Sequence, residues 1–205
     1  MSALPVGDGD VAARIARFPL RTAAAGGRVL AYREAGAGPA LVLLHGIGNQ
    51  SGSWVQQLEA LAGRFRVVAW DAPGYGGSDP LPHEAPVAAD YADALRDLLD
   101  AIDVGRITLV GSSLGCLVAA AFAARYPDRV DGLALFNAAG GHGALDARER
   151  QEKLTARLAM LERLGPSGMA RSPSPGMLSA RAPDVARALA LWSTERLRPP
   201  GYAQA

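Results

Sequence analysis

The chain has 205 residues, an ordinary apolar content of 49% and a formal net charge of +1. That length allows one domain with a real core, and the near-neutral balance gives no electrostatic footprint for nucleic acid. No apolar run reaches transmembrane length, and residues 1–10 lack the basic region and apolar run of a signal peptide.

Residues 18–22 and 28–34 predict two short strands joined around Gly26-Gly27, a hairpin signal. Residues 40–44 are nearly all apolar and predict a strand covered on both faces. This strand runs into His45-Gly46-Ile47-Gly48, and a helix follows over about 54–61. Glycine in such a loop lets a backbone N–H approach a developing oxyanion. Residues 65–70 predict the fourth strand, which leads into the turn Asp71-Ala72-Pro73-Gly74-Tyr75-Gly76-Gly77-Ser78-Asp79. Over 88–102, Tyr91, Ala94, Leu95, Leu98, Leu99 and Ile102 fall at helical spacing, with charged residues on the opposite face.

The fifth strand, from Ile107, ends at Gly111-Ser112-Ser113-Leu114-Gly115, and an apolar helix follows. A serine on so tight a strand-to-helix turn sits in a strained backbone, with small residues required two positions to either side. The helix that starts there turns its positive end toward the serine oxygen. Cys116, the single cysteine, excludes an internal disulfide and fits a reducing compartment. It reads as a small packed group, and the expected location is the cytoplasm. Residues 130–136 predict the sixth strand. Alternating strands and helices imply a mostly parallel sheet with right-handed crossovers.

These three motifs, in this order, resemble the alpha/beta-hydrolase superfamily, and within it the bacterial esterases, enol-lactonases and carbon–carbon hydrolases. The resemblance is strong over residues 28–137 and looser over 138–205. It implies an α/β fold with helices on both sheet faces and a helical cap after the sixth strand. Residues 1–137 would form the N-terminal part of the core and residues 138–205 the cap region. It also implies Ser113 as nucleophile, with the backbone N–H groups of Ile47 and Leu114 as the oxyanion hole. His45 would be structural and position its loop. Asp79 would cap or hydrogen-bond within its turn.

Asp146 and Glu149 form a capping box that opens a helix ending at Gly165-Pro166. A Ser/Pro/Gly/Met stretch follows over 166–176, then a helix over 183–197 that stops at Pro199-Pro200. Residues 146–205 carry 10 basic and 6 acidic side chains, read as a solvated helical region and not as a binding patch. In the family such a cap shapes the substrate pocket, so Met160, Met169, Met177 and Trp192 either face the ligand or fill core.

In this family the acid follows a seventh strand and the histidine an eighth. Neither strand is present, so the chain reads as a fragment whose acid and base lie beyond residue 205. His142 and Asp146 are the substitutes within the chain. A bare sixth strand predicts poor solubility, and a serine without its base predicts near inactivity.

The expected function is a serine hydrolase of a small carboxylic ester or lactone, acting through an acyl-enzyme. The alternatives are a hydrolase of carbon–carbon bonds in ring-fission products and a non-catalytic binding protein. No metal or other cofactor, nucleic acid or membrane is implied.

Overall fold

The computed structural model describes residues 8–171 and 178–204. Within them a six-stranded sheet is built from β1 (Arg21–Ala25), β2 (Arg28–Ala35), β3 (Ala40–Leu44), β4 (Arg66–Trp70), β5 (Ile107–Ser112) and β6 (Val130–Phe136). The strand order is β1-β2-β4-β3-β5-β6. β1 and β2 pair antiparallel, as do β2 and β4, and the remaining pairs are parallel. The mostly parallel α/β architecture expected from the sequence is thus the observed one.

The helices are α1 (Asp8–Ala16), α2 (Val55–Leu61), α3 (Ala88–Ala101), α4 (Leu114–Arg125), α5 (Ala147–Arg171), α6 (Asp184–Glu195) and α7 (Pro199–Gln204). Alternation along the central strands divides the core. Val42, Leu44, Val68, Trp70 and Leu109 face one side, where Leu95, Leu98 and Leu99 of α3 and Phe122 of α4 cover them. Leu41, Leu43, Val67 and Ala69 face the other side, against Leu58 of α2. Beside it, α1 and α6 meet through Val11, Ile15, Ala188 and Leu189.

Three boundaries differ from the sequence reading. The first strand begins at Arg21, not residue 18. The Phe18 carbonyl is taken by the Arg33 guanidinium, and Pro19 has no N–H to give a ladder. The capping box forms as expected, with Glu149 N–H donating to Asp146 Oδ1 (2.8 Å) and Asp146 N–H to Glu149 Oε2 (3.1 Å). Helix α5 breaks at Gly165 (φ 60°, ψ 176°), the expected stop, yet a further helical stretch continues through Pro166 to Arg171. Pro199-Pro200, read as a terminator, instead opens α7, because proline at a first helical turn lacks only an N–H that has no partner there.

β6 pairs with β5 alone among the described residues, and its Leu133, Leu135 and Phe136 are 44%, 43% and 56% exposed. No helix among the described residues is long and apolar enough to cross a membrane.

Candidate active site

The turn between β5 and α4 places Ser113 at φ 52°, ψ −114°, a backbone state that side-chain-bearing residues rarely adopt. Its surroundings hold it there. Ser113 N–H donates to the Phe136 carbonyl at the end of β6 (3.1 Å), and Cys116 N–H donates to the Ser113 carbonyl (2.9 Å). The flanking glycines are demanded by contact. A Cβ on Gly111 would lie 2.5 Å from the Gly115 oxygen, and one on Gly115 would run into the Leu44 carbonyl. Cys116 is buried as expected, and its thiol also donates to the Gly111 carbonyl (3.2 Å).

The glycine-rich loop after β3 lies directly against this serine. A Cβ on Gly46 would sit 3.1 Å from Ser113 Cβ and 3.7 Å from its Oγ. Ile47 follows Gly46, and Leu114 follows Ser113. The turn bonds on either side run from Asn49 N–H to Gly46 and from Cys116 N–H to Ser113, so they use neither the Ile47 nor the Leu114 amide. As the first residue of α4, Leu114 has an N–H without a helical acceptor.

His45 is buried and committed to structure. The Ala72 N–H can only donate, so His45 Nε2 accepts it (3.0 Å), and Nδ1–H donates to the Gly46 carbonyl (2.8 Å). That pair of partners requires the neutral ring, and burial lowers its pKa from the ordinary 6.5. The ring also meets Tyr75 edge-on, with centroids 5.1 Å apart. The histidine ties the loop after β3 to the loop after β4.

Asp71, also buried, holds the same junction. Its Oδ1 accepts Ser51 N–H (2.6 Å) and its Oδ2 accepts Gly77 N–H (3.0 Å). Asp79 differs in detail from the sequence reading. Its carboxylate reaches out of the turn to accept Val29 N–H of β2 (2.8 Å).

His142 is exposed, and the Asp146 carboxylate is engaged by the α5 N-terminus. Among the described residues no hydrogen bond joins His142 to Asp146, or either of them to Ser113.

Helices α5 and α7 come down over the loop after β3. Leu161, Leu197 and Tyr202 cluster with Met169 and Ile47. Trp192, one of the residues weighed for ligand contact, turns the other way. Its ring packs on Gly52 and on the cluster around Val11, Ile15 and Val55, so core filling accounts for it. Met177 lies outside the described residues. Sequence reasoning missed Gly74 and Gly201, which touch where α7 docks. A Cβ on Gly74 would fall 2.6 Å from Gly201 Cα. Arg198 then donates to the Gly76 and Ser78 carbonyls (3.2 and 2.9 Å), and Gln204 to those of Leu81 and His83 (3.0 and 2.7 Å). No spacing signal links residues so far apart in sequence.

The sequence model for the alpha/beta hydrolase fold matches residues 39–171, more than half of the chain. The chain belongs to the alpha/beta hydrolase fold family. Among curated family relatives, an uncharacterised protein of Mycobacterium tuberculosis is 48% identical over 110 residues, which is 54% of this chain and 32% of that protein. A 2-hydroxy-6-oxononadienedioate/2-hydroxy-6-oxononatrienedioate hydrolase of Burkholderia vietnamiensis is 39% identical over 117 residues, 55% of this chain and 40% of that enzyme. The matched stretch thus spans well under half of these relatives. Among solved structures, the enol-lactonase of Burkholderia xenovorans superposes with a TM-score of 0.66 at 26% identity, covering 90% of this chain and 71% of that one.

Proposed function

We propose that this chain carries the nucleophilic half of a serine hydrolase site. The observation that carries the reading is Ser113 held at positive φ, at the N-terminus of α4, against the loop of Gly46 and Ile47. Ser113 Oγ attacks a carbonyl carbon, an acyl-enzyme forms, and water releases the acid. The Leu114 and Ile47 N–H groups receive the developing oxyanion, each donor contributing roughly 3–4 kcal/mol to the transition state. Helices α5–α7 act as the cap over residues 8–137.

Serine attack needs a base, and among the described residues no histidine is hydrogen-bonded to Ser113. His45 is spent on Ala72 and Gly46, and Asp146 on its helix. The base and its acid partner come from outside the described residues.

The substrate class is a small carboxylic ester or lactone, supported by the likeness to an enol-lactonase. Carbon–carbon hydrolysis of a ring-fission product is the second reading, favoured by the 39% identity to a dienedioate hydrolase.

The test uses protein purified from its native cells, exposed to a fluorophosphonate, with intact mass read on the same sample. An adduct on Ser113 that Ser113→Ala abolishes is expected. A native protein that takes no adduct sinks the reading. A panel holding an enol-lactone, a simple ester and a ring-fission dienoate then separates the two substrate classes.

A further inference from the structure

The loop after β3 is tied at both of its ends, and the ties lead to two consecutive residues after β4. At its start, His45 accepts the Ala72 N–H (3.0 Å) and donates to the Gly46 carbonyl (2.8 Å). At its far end, the Ser51 N–H, which opens the short helical turn Ser51–Trp54, donates to Asp71 Oδ1 (2.6 Å). Between the ties lie Gly46, which packs on Ser113, and Ile47. The Asn49 N–H donates back to the Gly46 carbonyl (3.1 Å), so this stretch is itself a closed turn. A shift of either tie is passed to the Ile47 amide.

A buried carboxylate is a costly tether unless its oxygens are hydrogen-bonded. Asp71 is buried, and both of its oxygens are engaged. Oδ1 takes the N–H of the loop after β3, and Oδ2 takes the Gly77 N–H of its own turn (3.0 Å). An asparagine there would offer one acceptor oxygen, and its amide NH2 would oppose the second N–H. The backbone of Asp71 is fixed as well. Its N–H donates to the Ala31 carbonyl of β2 (2.8 Å), and its carbonyl accepts the Ser78 hydroxyl (2.6 Å). Room for the carboxylate is built into the turn, because a Cβ on Gly76 (φ 48°) would run into it. A carboxylate anchored to the sheet thus sets the far end of the loop that lies against Ser113.

We propose that Asp71 is a positioning residue for catalysis, which sets where the Ile47 N–H stands relative to Ser113. This rests on the serine hydrolase reading. An oxyanion donor acts in the transition state more than in the ground state. A displaced donor therefore lowers the maximal rate and spares half-saturation.

The test uses full-length variants expressed in the native cells, with fluorophosphonate capture at Ser113 timed at rising reagent concentration. In Asp71→Asn the maximal rate should fall by about tenfold or more, with the half-saturating concentration unchanged. Gly76→Ala, which displaces the carboxylate and keeps its charge, should lower the maximal rate too, and it serves if Asp71→Asn does not fold. Tyr126→Phe controls for lost stability. It removes a hydroxyl that donates to Asp93 (2.5 Å) at the far end of α4, and it should keep the wild-type rate. Hydrogen exchange reports the tether without any chemistry at Ser113. In Asp71→Asn it should quicken at residues 46–51 and not in β3. A folded Asp71→Asn or Gly76→Ala chain captured at the wild-type rate overturns the positioning role. So does an equal slowing in Tyr126→Phe, a loss confined to half-saturation, or unchanged exchange at residues 46–51. The hydrolase reading survives each of these, because the wild type is still captured. A wild type that takes no adduct removes both.

Discussion

At Ser113 the backbone and the side chain make opposite demands. A serine at φ 52°, ψ −114° carries strain on the order of 1–3 kcal/mol, held by the bonds to Phe136 and Cys116. Glycine accepts that conformation and loses roughly 0.5–1 kcal/mol through its looser unfolded chain. Ser113→Gly should therefore gain about 1 kcal/mol in urea unfolding over Ser113→Ala, which keeps the strain. A glycine variant less stable than the alanine one rejects the strained elbow. His45 makes a second residue-scale prediction, on pH. Its folded pKa is depressed, so between that value and the ordinary 6.5 the unfolded chain binds more protons. The stabilising effect of the neutral ring is thus present above pH 6.5 and is lost as pH falls from there through the folded pKa. The slope is bounded at about 1.4 kcal/mol per pH unit by one proton. Urea midpoints taken from pH 7.5 to 5 should show that fall, and His45→Asn should flatten it. An unchanged slope in the variant assigns the pH dependence to another group.

At the scale of elements, what could be read in advance depended on local signal. β3, β4, β5 and β6 are largely apolar runs, and the sequence reading agrees with each within two residues at either end. α1 carries little local signal: among its described side chains Val11 and Ile15 alone are buried, and partners remote in sequence hold it in place. α7 went unread because Pro-Pro-Gly looks like a stop, whereas Gly201 is needed for the approach to Gly74. The site divides along the same line. Ser113 and its loops sit in contiguous motifs, while the approach of Gly201 to Gly74 joins segments that only the fold brings together. The α7 contact can be tested. A Cβ on Gly201 would collide with the Gly74 carbonyl, so α7 must shift and Arg198 and Gln204 lose their acceptors. Gly201→Ala should destabilise by about 1–3 kcal/mol. Hydrogen exchange should quicken at residues 74–83, whose turn α7 covers, and not in β3. Unchanged exchange at residues 74–83 means that α7 docks without this contact.

For the whole molecule, the two margins of the sheet differ in kind. At β1 the edge is short and begins with Arg21, whose guanidinium pairs with Glu34 across the hairpin (2.7 Å), and such charge discourages strand addition. At β6 the opposite holds. Leu133, Leu135 and Phe136 are exposed on a strand whose other neighbour, β5, is fully engaged between β3 and β6. Among the described residues β6 has one unpaired ladder, and an apolar strand so placed is a template for another strand, such as that of a second copy. Given only the 205-residue chain, the second copy is what solution offers. The purified chain should therefore self-associate as its concentration rises, seen by sedimentation velocity. Leu133→Lys with Leu135→Lys should return it to monomer, because a charge at each alternate position resists both pairing and burial while leaving the β5 ladder intact. Wild-type chain that stays monomeric across the concentration range rejects β6 as an adhesive edge. Association that persists in the double variant moves the contact elsewhere on the surface.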